Sequence, residues 1–280
     1  MERRDHTMQC NGLSLHVTEW GPVQGRPVVM MHGIRGYAET FAGLAAALEP
    51  ACRVIAFDQR GRGDSDWDPA HGYYTDAYVA DLEAICDGLQ LERFDLLGHS
   101  MGGINAIVYA ARHPERVRRL VIEDAGPGAF EGSAGALRIQ QELATTPVGF
   151  DDWEAAVAFM RQLRSTVTDE AREQRLRSMT KPRAEGGYTW RYDHAGIVAT
   201  RLTPDPARVV NLWPHVEAIA CPTLLLLGSR SDYLQPAGAQ AMTDRNPHIV
   251  WREIADAGHY AHDDQPDIVA RLVRAFFEEQ

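Results

Sequence analysis

The chain alternates short, mostly apolar runs with longer segments of helical periodicity, and this alternation restricts its fold more than any other feature. The apolar runs are 27–31, 53–57, 94–97, 117–122, 223–227 and 249–254. Helical periodicity and helix end signals occur at 38–48, 76–89, 101–112 and 266–279. A strand that is apolar on both faces must be covered on both faces, which a parallel sheet between two layers of helices provides. We therefore expect an α/β protein.

Two departures from this alternation predict the rest of the architecture. Between 7 and 20, two alternating runs flank Asn11-Gly12, a dipeptide that tolerates the positive φ angles of a tight hairpin turn. Between Gly126 and about Ala220, helical periodicity at 152–163 and 168–179 is accompanied by no convincing strand. We predict a sheet domain at 1–128 and 216–280 and a helical cap at 129–215 inserted into it, because the inserted segment is short for an independent core.

Composition excludes several classes of function. The net charge of −11 argues against a nucleic-acid partner, which would require a basic surface. The four cysteines form no C-x-x-C pair, and the sequence shows no metal-ligand spacing, so we expect neither a disulfide framework nor a metal or cofactor. We find no apolar leader segment and no run approaching the ~18 residues of a membrane span. We expect a cytoplasmic protein that acts on a small molecule, without membrane contact, and leave a homodimer open.

A nucleophile motif follows the third apolar run. Residues 98–103 read G-H-S-M-G-G, between the run 94–97 and a helical segment, which is the strand-turn-helix context that G-x-S-x-G requires. The serine occupies a strained position at the tip of a sharp turn, so the residues two before and two after it must be glycine to avoid clashes. We predict that Ser100 is held clear of the sheet, at the N-terminus of a helix that favours developing negative charge.

A second motif can supply an oxyanion hole. Residues 32–36 read H-G-I-R-G and follow the run 27–31 directly. Such a turn can aim the backbone N–H of Ile34 at the same point as the N–H of Met101. Each donor of this kind typically contributes about 2.7 to 4 kcal/mol of transition-state stabilisation.

The candidate base is His259, in the A-G-H sequence that follows the last apolar run, 249–254. A loop at this point leaves the carboxyl end of a strand, which is the catalytic edge of an open α/β sheet. Of the other histidines, we expect His262 to line the entrance or face solvent, His99 to pack inside the turn at Ser100, and His32 to support the oxyanion turn.

Together these motifs resemble the α/β-hydrolase superfamily. The resemblance is carried, in order, by H-G-I-R-G, by D-Q-R-G-R-G-D-S at 58–65, by G-H-S-M-G-G and by A-G-H at 257–259. It implies an eight-stranded, mostly parallel sheet with helices on both faces, a helical cap and a serine-histidine-acid triad. Serine stands where haloalkane dehalogenases and epoxide hydrolases carry aspartate, which disfavours those chemistries.

Two aspartates compete for the role of triad acid, since Asp124 and Asp232 both follow strands and topology permits either. Superfamily members with the acid after the later strand usually show G-x-x-D-x-x-x-P, and Ser231 occupies that slot here. D-x-x-P at Asp124 resembles small esterases and an amide-cleaving hydrolase whose acid follows the earlier strand. We therefore favour Asp124, with Asp232 as the alternative. The aspartate that is not the triad acid would be a helix cap or a solvated charge in a loop.

These residues predict a serine hydrolase that cleaves an ester, thioester or amide through an acyl-enzyme intermediate. A C–C bond hydrolase or cofactor-independent lyase, and a non-catalytic small-molecule receptor, stay open as alternatives. For the substrate pocket, the sequence offers two cap aromatics and nearby cations. Trp190 and Tyr192 could shape the pocket, and Arg35 or Arg191 could pair with a substrate carboxylate, although aromatics often pack in a core and arginines often lie in water.

Overall fold

The computed structural model describes residues 2–129, 133–163 and 169–279. The strands are β1 (Arg3–Cys10), β2 (Leu13–Trp20), β3 (Arg26–Met31), β4 (Cys52–Phe57), β5 (Phe94–His99), β6 (Val117–Glu123), β7 (Gly149–Phe150), β8 (Thr180–Pro182), β9 (Tyr188–Trp190), β10 (Thr223–Gly228) and β11 (Ile249–Ile254). The α-helices are α1 (Ala42–Leu48), α2 (Thr75–Gly88), α3 (Met101–Arg112), α4 (Ala134–Thr145), α5 (Trp153–Leu163), α6 (Asp169–Met179), α7 (His194–Leu202), α8 (Trp213–Ala218), α9 (Pro236–Arg245), α10 (Ala261–Asp264) and α11 (Pro266–Glu278). Short 3-10 helices lie at Ala38–Phe41 and Pro206–Arg208.

Eight strands form one sheet in the order β1-β2-β4-β3-β5-β6-β10-β11. β1 and β2 form the expected hairpin, in which Asn11 and Gly12 have φ angles of 51° and 80°. β2 also runs antiparallel to β4, whereas the remaining neighbours are parallel. The predicted eight-stranded, mostly parallel sheet is therefore confirmed.

Helices cover both faces of this sheet, as the apolar runs require. On β3, Val28 and Met30 belong to one buried cluster, with side chains from α1 and α11, and Val29 and Met31 belong to the other, with side chains from α2, α3 and α9. Because successive side chains of a strand point to opposite faces, a strand buried on both sides has no polar alternation.

In its described residues, the segment between β6 and β10 contains five α-helices, α4 to α8, and a small antiparallel sheet in the order β7-β9-β8. The expectation that it holds no strand is wrong. Its strands have only two or three residues each, too few to show a period of two in the sequence. The predicted boundary at 215/216 falls within α8, and Thr168, the predicted start of one cap helix, lies outside the described residues.

The site is positioned by the carboxyl ends of neighbouring parallel strands. The chain leaves β5 at His99, β6 at Glu123, β10 at Gly228 and β11 at Ile254, all at one edge of the sheet. Among the described residues, no helix combines the length and the apolar character that crossing a bilayer requires.

Candidate functional site

Ser100 occupies a strained turn between β5 and α3. Its φ and ψ are 53° and −120°, in a region that non-glycine residues rarely adopt, and its side chain is almost fully buried. The backbone N–H of Ser100 donates a 2.9 Å hydrogen bond to the carbonyl oxygen of Glu123, which ties the turn to the end of β6. The surrounding structure thus holds the serine in a conformation that it would not adopt by itself.

Close backbone approach explains the glycines on either side of Ser100. A Cβ at Gly98 would lie 2.3 Å from the carbonyl oxygen of Gly102, and a Cβ at Gly102 would lie 2.1 Å from the carbonyl oxygen of Met31. Neither distance is compatible with van der Waals contact. The G-x-S-x-G spacing therefore reflects a turn in which a helix begins directly against two strands.

His259 lies between Ser100 and Asp124. Its Nε2 is 2.9 Å from Ser100 Oγ, and its Nδ1 is 2.5 Å from Asp124 Oδ2. His259 follows β11, and Asp124 follows β6 with a φ of 48° and a backbone N–H that donates to the carbonyl oxygen of Leu226. All three side chains are buried. The structure thus brings together three side chains that lie far apart in the sequence.

The Asp124 carboxylate receives a second contact from Ser231. Ser231 Oγ lies 2.5 Å from Asp124 Oδ2 and in turn accepts a 3.1 Å hydrogen bond from the backbone N–H of Tyr233. Burial raises the pKa of Asp124, while the contacts with His259 and Ser231 act in the opposite direction. Hydrogen bonds from both neighbours favour the charged form of a carboxylate that water cannot reach.

Asp232 has a different environment. Its two carboxylate oxygens accept hydrogen bonds of 2.7 and 2.9 Å from Arg138 on α4, and its side chain is 38% exposed. The hydrogen bonds from Arg138 lower the pKa of Asp232. The structure therefore places Asp124, and not Asp232, in contact with His259.

The candidate oxyanion donors flank Ser100. In the described part of the chain, neither the Ile34 N–H nor the Met101 N–H has a hydrogen-bond acceptor. A Cβ at Gly33 would lie 3.2 Å from the Cβ of Ser100, so the turn that carries Ile34 packs directly on the serine. Two unsatisfied backbone donors beside a nucleophile can stabilise an oxyanion.

His32 holds this turn in place as a neutral imidazole. Its Nδ1 lies 2.7 Å from the carbonyl oxygen of Gly33, and its Nε2 accepts a 3.0 Å hydrogen bond from the backbone N–H of Gln59. The Gln59 side chain donates back to the His32 carbonyl oxygen. Burial lowers the pKa of His32 to about 4, so the ring stays uncharged near neutral pH. His32 thus lies where the sequence predicted a supporting role.

His99 is packed inside the turn, as expected, but the expectation for His262 is wrong. His99 Nε2 lies 2.8 Å from the carbonyl oxygen of His259, and burial lowers the pKa of His99 well below its ordinary value. His262 is buried, with Nδ1 at 2.8 and 2.9 Å from the two carboxylate oxygens of Glu123. Although burial opposes charge on His262, the Glu123 carboxylate raises its pKa. A buried carboxylate at the end of β6 needs a partner, and His262 supplies it.

His99, Glu123 and His262 place one potential metal-ligand atom each within 4.8 Å of one another. Hydrogen bonds already use these groups, because His99 binds the His259 carbonyl oxygen and both Glu123 oxygens face His262. We therefore interpret the cluster as support for the loop that carries His259, and assign it no metal.

Sequence reasoning missed two supporting residues. Glu123 stands directly before Asp124, and an acidic pair at the end of a buried strand signals that both carboxylates need partners. Ser231 was identified only as the residue in the usual acid slot, and its role as a donor to Asp124 follows from the adjacency of β6 and β10.

The candidate aromatic substrate contacts, which lie in the inserted segment, pack against other aromatic residues of the protein. Trp190 is buried among cap aromatics, 5.1 Å from Phe150 and 5.2 Å from Tyr192 between ring centroids, and its Nε1 donates to the Pro147 carbonyl oxygen. Tyr192 is also buried and forms an isolated backbone bridge with Arg62. These surroundings indicate packing roles, and a role in substrate binding stays a prediction.

The two arginines proposed to meet a substrate carboxylate each have an acidic partner. Arg35 donates a 2.8 Å hydrogen bond to Glu142 on α4, which links the turn at 32–36 to the inserted segment. Arg191 lies 2.5 Å from the carboxylate of Asp64. The positive charge of each is therefore compensated within the chain.

Comparisons with known proteins agree with this architecture. Residues 26–266 match the family described as the alpha/beta hydrolase fold. The chain is 31% identical to a 3-hydroxybutyrate-oligomer hydrolase from Cupriavidus necator, over 86% of this chain and 85% of that protein. It is 30% identical to an N-formylmaleamate deformylase from Pseudomonas putida, over 90% of this chain and 88% of that protein.

A solved structure resembles the chain over nearly its whole length. The crystal structure of E-2-(acetamidomethylene)succinate hydrolase superposes with a TM-score of 0.87 and 24% identity, covering 99% of this chain and 100% of that one. At this level of identity, the likeness supports the fold alone.

Proposed function

We propose, since this chain belongs to the α/β-hydrolase fold family, that it is a serine hydrolase that cleaves an ester, thioester or amide of a small molecule. One observation carries the proposal: Ser100 Oγ lies 2.9 Å from His259 Nε2, and Asp124 lies 2.5 Å from His259 Nδ1. A nucleophile, a base and an orienting acid within hydrogen-bond reach are the requirements for acyl transfer through a covalent intermediate.

Acylation starts at Ser100. His259 Nε2 accepts the hydroxyl proton while the serine oxygen attacks the carbonyl carbon, and Asp124 holds the Nδ1–H side of the ring. The backbone N–H groups of Ile34 and Met101 stabilise the negative charge that develops on the carbonyl oxygen. His259 then gives its proton to the leaving alcohol, thiol or amine, which departs and leaves Ser100 acylated.

Deacylation repeats these steps with water as the nucleophile. His259 removes a proton from the water, the resulting oxyanion occupies the same two backbone donors, and Ser100 recovers its proton as the acid is released. Acylation and deacylation use the same residues, so loss of Ser100 or His259 abolishes both steps.

The relatives support hydrolysis without defining one substrate, because one is named for 3-hydroxybutyrate oligomers and another for N-formylmaleamate. Substrates that differ in the bond to be cleaved therefore test the proposal. We expect 4-nitrophenyl esters, or the matching thioesters or anilides, to be cleaved, and Ser100→Ala and His259→Ala to lose this activity. His248→Ala serves as the control, because His248 is exposed and lies outside the site.

Three outcomes would contradict the proposal. Cleavage of β-diketones, with esters, thioesters and anilides left intact, would assign the chain to C–C bond hydrolysis. Full activity of Ser100→Ala toward any acyl substrate would exclude the serine as nucleophile, and the absence of all turnover would favour a receptor.

A further inference from the structure

Arg201, near the end of α7, has no acidic partner among the residues that the structure describes. The chain contains 39 acidic and 28 basic residues, so a carboxylate would be available if the fold required one. Within the described residues, however, the Arg201 side chain forms no ion pair or hydrogen bond, and its Nε is shielded from solvent. A partly buried guanidinium with a shielded Nε and no counter-charge is destabilising, which is expected where a ligand supplies the negative charge.

The position of Arg201 on its helix directs it inward. Ile197 precedes Arg201 by four residues, so the two side chains share one face of α7. Ile197 is buried in a cluster with Met101, which follows the nucleophile, and with Tyr78. Arg201 therefore lies on the face of the cap helix that meets the sheet domain beside Ser100.

The neighbours of Arg201 contact the proposed catalytic residues. Burial lowers the pKa of Arg201, and the positive charge of Arg62 lowers it further, while Tyr78 and Tyr233 act in the opposite direction. The ring of Tyr233 lies 4.6 Å from the ring of His259. A guanidinium nitrogen of Arg62 lies 3.6 Å from the sulfur of Met101. Arg201 thus lies within electrostatic range of two residues, Arg62 and Tyr233, that contact Met101 and His259.

Arg62 adds a second cation without a carboxylate. It is buried and donates to neutral acceptors: the carbonyl oxygens of Ile34 at 3.2 Å and Arg60 at 2.8 Å, and the hydroxyl of Tyr78. The side chains of Arg62 and Arg201 therefore give this part of the site a positive charge that no described carboxylate balances. The lining beside them is apolar, since Ile139 and Leu143 of α4 pack in the same cluster as Met101 and Ile197.

From this arrangement we propose that Arg201 binds a carboxylate on the substrate, so that the natural substrate is an ester, thioester or amide whose apolar carbon chain also carries a carboxylate. The inference rests on the proposed hydrolase function and names the substrate class of that same site. Arginine suits the role because its planar guanidinium can donate two parallel hydrogen bonds to one carboxylate. Arg62 raises the positive electrostatic potential beside Arg201, and it keeps its hydrogen bonds to neutral acceptors.

Kinetics with matched substrates test the proposal. One pair places the charge on the acyl group: 4-nitrophenyl hexanoate and the mono-4-nitrophenyl ester of adipic acid. The other pair places it on the leaving group: phenyl acetate and 3-acetoxybenzoate. The proteins compared are the wild type, Arg201→Gln, Arg201→Lys and Arg177→Gln, a control whose side chain is 65% exposed on α6.

We expect the wild type to prefer the carboxylate member of at least one pair by about tenfold or more in kcat/KM. Arg201→Gln removes this preference while changing kcat/KM for the neutral member less than about threefold, and Arg201→Lys keeps part of the preference because it keeps the charge. Arg177→Gln behaves as wild type. If neutral esters are hydrolysed and the preference is absent, or survives in Arg201→Gln, the inference fails while the hydrolase function stands.

A binding measurement separates the inference from turnover. In Ser100→Ala protein, isothermal titration calorimetry with monoethyl adipate should give binding that weakens about tenfold or more when Arg201→Gln is added. Equal affinity in the two proteins, or no binding in either, would overturn the inference whatever the kinetic result.

Discussion

Ser231 donates a 2.5 Å hydrogen bond to the carboxylate of Asp124. Ser231 occupies the slot after β10 where members of the superfamily with a later acid carry an aspartate. β6 and β10 are neighbours in the sheet, with Leu226 paired to Glu123, so side chains that follow the two strands meet at one point. In the proposed triad the acid therefore follows the earlier strand, and the residue in the later slot donates a hydrogen bond to it.

The first prediction distinguishes the two candidate acids. Asp124→Asn should lower kcat by about 10³ to 10⁴-fold, because the amide stabilises neither the required tautomer nor the imidazolium of His259. Asp232→Asn should change kcat less than about threefold, because it removes only a half-exposed pair with Arg138. Steady-state kinetics on one chromogenic ester measure both. The assignment is wrong if the loss falls on Asp232→Asn.

The second prediction concerns moving the carboxylate from the end of β6 to the end of β10. Adding Ser231→Asp to Asp124→Asn should restore kcat by about tenfold or more over Asp124→Asn alone, because a carboxylate then reaches the same region from β10. Ser231→Asp in the wild-type background should instead lower activity, since it places two carboxylates together. A double variant no more active than Asp124→Asn would show that the Ser231 position cannot serve His259.

The third prediction concerns the turn that carries Ser100. Gly102→Ala should lower the free energy of unfolding by roughly 3 kcal/mol, because its Cβ would lie 2.1 Å from a backbone oxygen that cannot move freely. Gly43→Ala in α1 is the matched control, since no atom lies within 4 Å of its Cβ. It should be neutral or stabilise the protein by about 0.5 kcal/mol. Urea denaturation compares the two, and equal effects would contradict the steric argument.

The fourth prediction is a pH dependence that arises from His32. Its pKa is about 4 in the folded protein and near 6.5 when unfolded, so the unfolded chain binds the extra proton first as pH falls. The stability advantage of wild type over His32→Asn should therefore shrink by about 3 kcal/mol between pH 7 and pH 4. His262, whose pKa is raised, should show the opposite sign in His262→Asn. A pH-independent difference for His32→Asn would refute the neutral buried imidazole.

Local sequence rules predicted the fold well because its central strands are buried on both faces and its helices have clear ends. The hairpin at Asn11-Gly12 and the strand-turn-helix at Ser100 could likewise be predicted from the sequence. The positive φ angles at these turns restrict which residues can occupy them. The three short strands of the inserted segment were not, because two or three residues cannot establish a period.

Contacts between distant segments were harder to predict. The burial of His262 against Glu123, and the pairing of Asp232 with Arg138, depend on where separate loops and helices meet. For the same reason, the sequence suggested Arg35 as a substrate contact, whereas the structure pairs it with Glu142. Side-chain partners of this kind follow from tertiary packing and leave no local pattern.

The most direct test of the whole account is covalent labelling of Ser100. A small fluorophosphonate should modify the protein once, and tryptic mass spectrometry should place the adduct on the peptide containing Ser100, since His259 lies 2.9 Å from its oxygen. Labelling should be lost in Ser100→Ala and greatly slowed in Asp124→Asn. An unlabelled wild-type protein, or an adduct on another residue that persists in Ser100→Ala, would contradict the assignment of Ser100 as an activated nucleophile.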